Sequence, residues 1–226
     1  MATQTPTRPD RAPCKPRQPG RPAAGRHDHR EALIDAARDY FAAHGFAASS
    51  LRQIAVAAKV TPALSHYYFK DKAGLLEAVI EQRVAPLVQG LGEAVKAAGP
   101  DPADALRGFV RAYTRTAANN PWLPQLIVRE VLNSEGVLRE AFPQRFAGGM
   151  AAMLRGLVSA GQARGDFRAD LDTAEIVMSI ISLCIFPFLA APLVNRTLAI
   201  DTGPERAEAL ATHHLAVLLA GIAKIP

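Results

Sequence analysis

Residues 49–72, SSLRQIAVAAKVTPALSHYYFKDK, constrain the fold more than any other stretch of this chain. Apolar residues recur there at the spacing of one helical face, at Leu51, Ile54 and Ala55, before the pattern breaks at Lys59 and then returns. The pattern predicts two short helices joined by a tight turn. Because two helices of this size cannot bury a core alone, a third helix must lie beneath them.

Both short helices carry signals for their first residues. Ser49 or Ser50 can cap the first helix, because a serine hydroxyl accepts a hydrogen bond from an otherwise unpaired backbone N–H. Thr61 is placed to cap the second helix. Pro62 follows at the first helical position, where a missing N–H costs nothing. The start of each helix is therefore predicted from local chemistry alone.

The third helix is predicted over residues 28–44. Its apolar side chains fall at i, i+3, i+4, i+7 and i+8, at Leu33, Ala36, Ala37, Tyr40 and Phe41. Helical spacing continues through most of the chain, whereas strand-like alternation of Val, Ile and Thr is scarce. The predicted fold class is all-α, with a three-helix helix-turn-helix domain at the amino-terminal end and a larger helical domain after it.

A helix-turn-helix places its second helix in the major groove of DNA. Periodicity alone leaves a plain helical hairpin as an equal alternative, since such patterns also arise by chance. The succession His66, Tyr67, Tyr68 favours DNA binding. Buried helices seldom carry three such side chains in a row unless their polar tips reach a partner.

Residues 30–83 resemble the DNA-binding domain of the tetracycline-repressor (TetR/AcrR) family. The motifs that carry the resemblance are Tyr40-Phe41, Gly45-Phe46, Ile54-Ala55, Val60-Thr61 and Tyr67-Tyr68-Phe69, followed by Lys72. The resemblance implies a ligand-responsive transcriptional regulator of the repressor type. Such a protein binds a palindromic double-stranded DNA operator as a homodimer and is released by a small-molecule effector.

The same resemblance implies the residues that contact the groove or the phosphates, which are Ser50, Arg52, Thr61, Ala63, His66, Tyr67, Tyr68 and Lys72. Three positions depart from the family pattern. Lys59 replaces a turn glycine, where a left-handed backbone mildly strains a lysine. Ser65 occupies a usually apolar core position, and His66 stands where a DNA-facing tyrosine is common. We expect the fold to survive these changes and the operator preference to differ.

The first 26 residues differ in composition from the rest. Proline alternates there with arginine or lysine, and no large apolar side chain can anchor the segment, which predicts a disordered tail. The tail holds six Lys and Arg against one acid, whereas the whole chain holds 26 against 21, a net charge of +5. The tail therefore carries the whole net charge. It either adds salt-sensitive attraction to DNA phosphates or is a passive segment or a misassigned start.

We expect the DNA-binding domain over residues 27–72 and an effector-binding and dimerisation domain over residues 73–226. A helix capped by Asp71 is predicted to run to Gly99, with a kink or break near Pro86. Further helical segments are predicted at residues 101–119, from 120 onward, and at 135–165, 172–194 and 204–223. The segment 135–165 is expected to be interrupted at Pro143 and at Gly148-Gly149.

The second domain is rich in aromatic and sulfur-containing side chains. Each of them taken alone is more often core than ligand contact, but the resemblance implies a cavity between the helices. Its tentative lining is Phe109, Tyr113, Trp122, Phe146, Met150 and Phe186. Four charged residues in otherwise apolar helices either orient a polar ligand group or simply face water, namely Arg111, Arg115, Arg129 and Glu130.

Residues 176–194 form an uncharged apolar run of nearly membrane-spanning length. Pro187 and Pro192 interrupt the run, so a helix buried on several sides is favoured over a membrane span. In the resembling family the last two long helices pair with their two-fold mates, and residues 176–190 and 207–219 fit that role. We therefore expect a homodimer and no membrane partner.

The sequence predicts no catalytic, cofactor or metal site. It lacks a phosphate-cradling glycine motif, a nucleophile elbow and a metal-binding His/Glu helix. Cys14 and Cys184 cannot readily pair, which predicts reduced thiols and a cytoplasmic protein. Two other classes stay open. One is an enzyme or small-molecule binder that does not act on DNA, which only His66 supports. The other is an adaptor that binds proteins through residues 176–194.

Overall fold

The structure, a computed structural model, describes residues 24–223, so most of the predicted tail, with Cys14, lies outside the described part. Helix α1 spans Ala24–His44 and begins four residues before the predicted Asp28. Pro22 is the last proline of the tail, and after it no residue prevents helical backbone. Gly45, in a left-handed conformation with φ of 82°, ends α1 as expected for its residue type.

Helices α2 (Leu51–Ala57) and α3 (Pro62–Phe69) pack against α1 and form the head of the molecule. Both predicted caps are confirmed, since the Gln53 N–H donates to Ser50 Oγ at 3.3 Å and the Leu64 N–H donates to Thr61 Oγ1 at 3.4 Å. The core of the head is fully buried and includes Leu33, Ile34, Phe41, Ile54 and Leu75.

Two of the unusual positions in the head are accommodated locally. Lys59 has a φ of 57°, so the left-handed turn predicted there is present without a glycine. Ser65 is fully buried at the expected core position, and its hydroxyl donates to the Pro62 carbonyl at 2.8 Å. Because the buried hydroxyl has a partner, a serine costs little at this position.

A long helical rod connects the head to the rest of the chain. It consists of α4 (Lys72–Val79), a π turn at Ile80–Val84, and α5 (Ala85–Ala97). The break predicted near Pro86 is this π turn, which precedes the proline. Pro86 cannot donate to the Gln82 carbonyl, and Arg83 Nη1 donates to that oxygen instead at 3.2 Å.

The body continues with α6 (Pro102–Asn119) and α7 (Trp122–Ile127), then a π turn at Val128–Leu132. A further π turn at Pro143–Ala147 leads into α8 (Gly148–Arg164). The helix predicted from residue 135 was wrong at its start, because residues 133–140 form bends and turns. The predicted interruption at Gly148-Gly149 was also wrong, because α8 runs through both residues.

The last elements are α9 (Thr173–Leu189), α10 (Ala191–Thr197), a 3₁₀ turn at Pro204–Arg206 and α11 (Ala207–Ile222). Within residues 24–223, no single helix is long and apolar enough to cross a membrane. Helices α9 and α10 together reach the necessary length and composition, but they are bent by 78° at their junction.

Helix α6 lies at the centre of the body, where it packs against α5, α8, α9 and α11. The core of the body is fully buried around Phe109, Leu154 and Ile180. The head does not end at its own helices, because Leu126 of α7 is 1% exposed and belongs to the core of the head. Head and body are thus joined by side-chain packing as well as by the rod.

Candidate DNA-binding surface and ligand cavity

Helix α3 presents one continuous solvent-exposed face. Ala63, His66 and Tyr67 are all exposed and occupy positions i, i+3 and i+4, which places them on one side of the helix. Exposed Lys70 follows directly after the helix. Tyr67 is 73% exposed, the most exposed of the large hydrophobic side chains in the described part of the chain. An aromatic ring held in water on a rigid helix is suited to contact with a partner.

The other predicted DNA contacts surround this face. Ser50, Arg52 and Thr61 are exposed at the amino-terminal ends of α2 and α3. Tyr68 is half-buried and packs against the core of the head, with its ring edge-on to that of Tyr67 at a centroid distance of 5.4 Å. Tyr68 therefore supports Tyr67 as well as bordering the exposed face.

Lys72 is placed differently from the free phosphate contact that the sequence predicted. Its ammonium donates to the carbonyls of Phe46 at 2.6 Å and Ser49 at 2.8 Å, and it lies 4.2 Å from the centroid of the Phe46 ring. These bonds hold the segment that leads into α2. Lys72 thus orders the head from within, and its predicted contact with a DNA phosphate stays a prediction.

Two lysines beside α3 were not among the predicted contacts. Lys59 precedes the helix and Lys70 follows it, both are exposed, and both have a φ of 57°. A lysine at each end of the recognition helix is a visible sequence signal for phosphate binding.

The turn between α1 and α2 is held by the body. Glu130 is 4% exposed, and its carboxylate accepts the Phe46 N–H at 2.6 Å. Arg129 Nε donates to the Ala42 carbonyl at 2.9 Å. Glu130 therefore does not face water, whereas Arg129 is exposed to water as well as bonded to the Ala42 carbonyl. Arg111 and Arg115 are exposed and face Glu208 on α11 at 3.2 and 3.5 Å.

A cavity of about 390 Å³ lies between α5, α6, α7, α8 and α9. Each of the three π turns described above contributes to the wall of the cavity. The turn at Ile80–Val84 contributes Val84, the turn at Val128–Leu132 contributes Val131 and Leu132, and the turn at Pro143–Ala147 contributes Phe146. π turns occur frequently at functional sites. Among the lining residues only Tyr113 and Thr116 have polar side chains, and none is charged. The cavity therefore favours an uncharged, largely apolar occupant.

Three of the six residues predicted for the cavity line it, namely Tyr113, Phe146 and Met150. The structure places the other three elsewhere. Phe109 is fully buried in the body core, its ring 5.7 Å from that of Tyr113. Trp122 packs against the core of the head beneath the Arg38 guanidinium. Phe186 is 58% exposed in a groove between α9 and α11.

Burial keeps two ionisable side chains at the cavity, Tyr113 and Cys184, in their neutral forms. Burial raises the pKa of Tyr113, and neighbouring Cys184 adds to this rise. Burial alone raises the pKa of the Cys184 thiol to about 12. A thiol with so high a pKa supplies almost no thiolate near neutral pH, so Cys184 is chemically inert. Within residues 24–223, no three His, Cys, Asp or Glu side chains are grouped to hold a metal ion.

Helices α9 and α11 share a second surface of interest. The exposed residues of α11 after Glu208 are small or apolar apart from Thr212 and His213, and they include Ala209, Ala216, Val217 and Ala220. On this surface Val217 is 51% exposed and Phe186 58%. His214 is buried on α11, and its Nδ1 has no hydrogen-bond partner among the described residues. Burial, followed by the charge of His213, lowers the pKa of His214.

The chain is similar to known regulators along most of its length. Residues 33–79 match the family described as bacterial regulatory proteins of the tetR family, and residues 102–218 match the tetracyclin repressor-like C-terminal domain. The HTH-type transcriptional repressor NicS of Pseudomonas putida is 29% identical over 181 residues, which are 80% of this chain and 85% of NicS.

Solved structures share the fold. The ketosteroid transcriptional regulator KstR2 of Mycobacterium tuberculosis superposes with a TM-score of 0.69 at 19% identity, covering 87% of this chain and 95% of KstR2. The regulator FadR of Bacillus subtilis, solved with stearoyl-CoA, gives 0.67 at 21% identity, covering 85% of this chain and 98% of FadR.

These matches agree with the helix-turn-helix head, its exposed recognition helix and the all-α body. The matched family and relatives are transcriptional regulators and not enzymes, which removes the enzymatic alternative. The chain belongs to the tetracycline-repressor family of DNA-binding transcriptional regulators.

Proposed function

We propose that this protein is a homodimeric repressor that binds a palindromic operator through its head, residues 27–72, and is released by an apolar effector bound in the body, residues 73–226. Ser50, Arg52, Thr61, Ala63, His66, Tyr67 and Tyr68 contact the DNA, while Lys72 shapes the segment that precedes α2. The effector acts by favouring a conformation whose two heads do not match the operator.

The observation that carries this proposal is the exposed α3 face. Its residues are held on a rigid helix, because Thr61 caps one end of α3 and Phe69 anchors the other in the core of the head. The face combines hydrogen-bonding groups with flanking lysines, as direct base contacts and phosphate contacts require. The remaining residues of the face are neutral, so the face offers no charge that would select a partner other than DNA.

The proposal is tested by selecting duplexes from a random pool with the full-length protein at physiological salt, and by sizing the bound species. We expect a palindromic site bound by a dimer. Two half-sites related by a two-fold axis would follow from two α3 helices on one face of the duplex. Binding without sequence preference that salt abolishes would contradict the assignment.

A second copy of this chain is the partner that the α9 and α11 surface fits. The groove includes Asp172 and Glu175 at the start of α9, but most of its other lining residues are apolar. A largely apolar face exposed over several helical turns is unusual for a monomer and typical of an interface. The unpaired Nδ1 of His214 lies beside this surface and would find a partner there. Two copies related by a two-fold axis would cover the face by pairing α9 and α11 with their mates.

A charge at this surface should break the dimer. Because Val217 is exposed in the single chain, Val217→Glu should leave the protomer folded and weaken dimerisation at least about 100-fold, since a carboxylate without a partner would be buried. Sedimentation velocity measures the change. Leu198→Glu, at a residue 64% exposed outside the groove, is the matched control and should remain dimeric. A dimeric Val217→Glu protein would place the interface elsewhere.

The effector is proposed to be uncharged and apolar because the cavity offers nothing to pair with a charge. Its volume of about 390 Å³ lies within the usual range of small-molecule sites, about 300–1,000 Å³. Tyr113 and Thr116 supply the only lining polar side chains. A neutral hydroxyl or carbonyl group can meet them, whereas a carboxylate would lose its hydration without a cationic partner.

Two probes of equal chain length separate these cases at pH 8, the neutral 1-decanol and the charged decanoate. We expect 1-decanol to raise the unfolding temperature and to lower operator affinity at least about fivefold, and decanoate to do neither. Ala151→Met, which narrows the cavity, should reduce the decanol effect, and Ala152→Met on the exposed side of α8 should not. Equal binding of both probes would refute the effector class.

A further inference from the structure

The π turn at Val128–Leu132 contacts two functional regions at once. Val131 and Leu132 form part of the cavity wall, whereas Arg129 and Glu130 hold the turn between α1 and α2. We propose that this π turn couples occupancy of the cavity to the position of α2, and hence to the DNA-binding face. The inference rests on the proposed function, because it takes the cavity to be the effector site.

Arg129 and Glu130 separate the two halves of one helical hydrogen bond. If α1 continued beyond His44, the Phe46 N–H would donate to the Ala42 carbonyl, four residues earlier. In the structure the Phe46 N–H donates to Glu130 Oε1 and the Ala42 carbonyl accepts from Arg129 Nε, at 2.6 and 2.9 Å. Two adjacent side chains of the body thus bond the backbone groups on either side of Gly45, where α1 ends, and fix the direction of the chain into α2.

The hydrogen bonds of Arg129 and Glu130 are strengthened by charge, and those of Glu130 also by burial. Hydrogen bonds to a charged group are shorter and stronger than those between neutral groups, and Glu130 is buried where water does not compete. Its second oxygen accepts the Val137 N–H at 3.2 Å, and its backbone carbonyl accepts the Leu138 N–H at 2.9 Å. Gly136 passes so close that a Cβ would overlap the Glu130 carbonyl. Movement of Glu130 must therefore reach Phe46.

The proposed coupling uses a second arrangement of this π turn. A π turn closes its hydrogen bonds over one residue more than an α-helix, and in the proposal a shift of a single residue converts one into the other. At the other end, Phe46 can bond either to Glu130 or to Ala42, and Gly45 between them tolerates both backbone conformations. An occupant that displaces Val131 moves the residue next to Glu130. Two discrete arrangements biased by one site are the physical requirement for coupling.

The test uses a side chain as the cavity occupant, so that no effector needs to be known. Ala151→Met places a flexible apolar group in the cavity, and exposed Ala152→Met is its control. Operator affinity is measured for both in the wild-type background and in Glu130→Gln, where the amide cannot accept from Phe46 and Val137 together. Glu135→Gln, exposed in the same segment, is the background control. Hydrogen exchange of residues 45–50 is followed in all variants.

We expect Ala151→Met to change operator affinity at least about fivefold in the wild-type and Glu135→Gln backgrounds, and less than about twofold in Glu130→Gln. The exchange of residues 45–50 should respond to Ala151→Met in the wild type and not in Glu130→Gln. A non-zero interaction in this double-mutant cycle is the direct evidence for coupling.

The failures of the two proposals are distinguishable. If the affinity change persists in Glu130→Gln, the coupling is overturned and the effector-responsive regulator stands. If exchange at residues 45–50 responds to Ala151→Met through Glu130 but operator affinity does not, the coupling stands and the effector response through this cavity fails. If neither responds in the wild-type background, both are refuted.

Discussion

Tyr67→Ala should reduce affinity for the selected operator at least about 100-fold, a loss of about 3 kcal/mol and the upper end for one base-contacting side chain. The ring is 73% exposed on the face of α3, so its removal takes away a partner contact and little of the core. The contact with Tyr68 is also lost, which frees that ring to reorient. Fluorescence anisotropy with operator and with unrelated duplex measures the change.

The salt-sensitive binding to unrelated duplex should remain, because it depends on lysines and arginines rather than on this ring. Helical content and dimerisation should match the wild type. Tyr67→Phe separates the hydroxyl from the ring and should lose only part of the affinity. Leu198→Ala, also at an exposed large side chain, is the surface control. Wild-type operator affinity in Tyr67→Ala would refute the assignment of α3 as the recognition helix.

Phe109→Ala should lower the free energy of unfolding by about 3–5 kcal/mol. Phe109 is fully buried between α6 and its neighbours in the body core, and the structure places it behind the cavity rather than in its wall. Its truncation leaves an internal void that the surrounding helices cannot fully close. Urea unfolding followed by circular dichroism measures the loss.

Phe146→Ala is the comparison, because Phe146 is half-buried and lines the cavity. It should cost less stability than Phe109→Ala while weakening the response to 1-decanol. Phe109→Leu keeps most of the volume and remains available if the alanine variant does not fold. If Phe109→Leu kept full stability but lost the decanol response, Phe109 would be a ligand contact, as the tentative cavity lining predicted.

Most of the head was predictable from local sequence. Helix caps are local, so Thr61 and the pair Ser49 and Ser50 are predictable as caps from neighbours a few residues away, whereas the left-handed backbone at Lys59 was implied by the family resemblance. The exposed side of α3 follows from helical periodicity once Phe69 is assigned to the core. The approximate positions of most body helices were also predictable, since Pro, Gly and Asp mark their ends. Apolar periodicity wrongly predicted a helix over residues 135–140. The conformation of residues 133–140 depends on their contacts with Glu130 rather than on local helix propensity.

Some residue types fit several roles, and their actual role depends on contacts between distant parts of the chain. Phe109 and Phe146 have the same side chain, and both lie at apolar positions of predicted helices. Only the packing of α5 to α9 determines which of the two borders the cavity. Glu130 and Phe46 are 84 residues apart, so no local pattern could pair them. Lys72 was assigned by motif to DNA, and that contact stays a prediction, whereas its bonds to the Phe46 and Ser49 carbonyls could not be predicted from the sequence. Helix caps and turns depend on residues a few positions away and can be predicted from the sequence. The partners of a buried charge and the shape of a cavity depend on segments that only folding brings together.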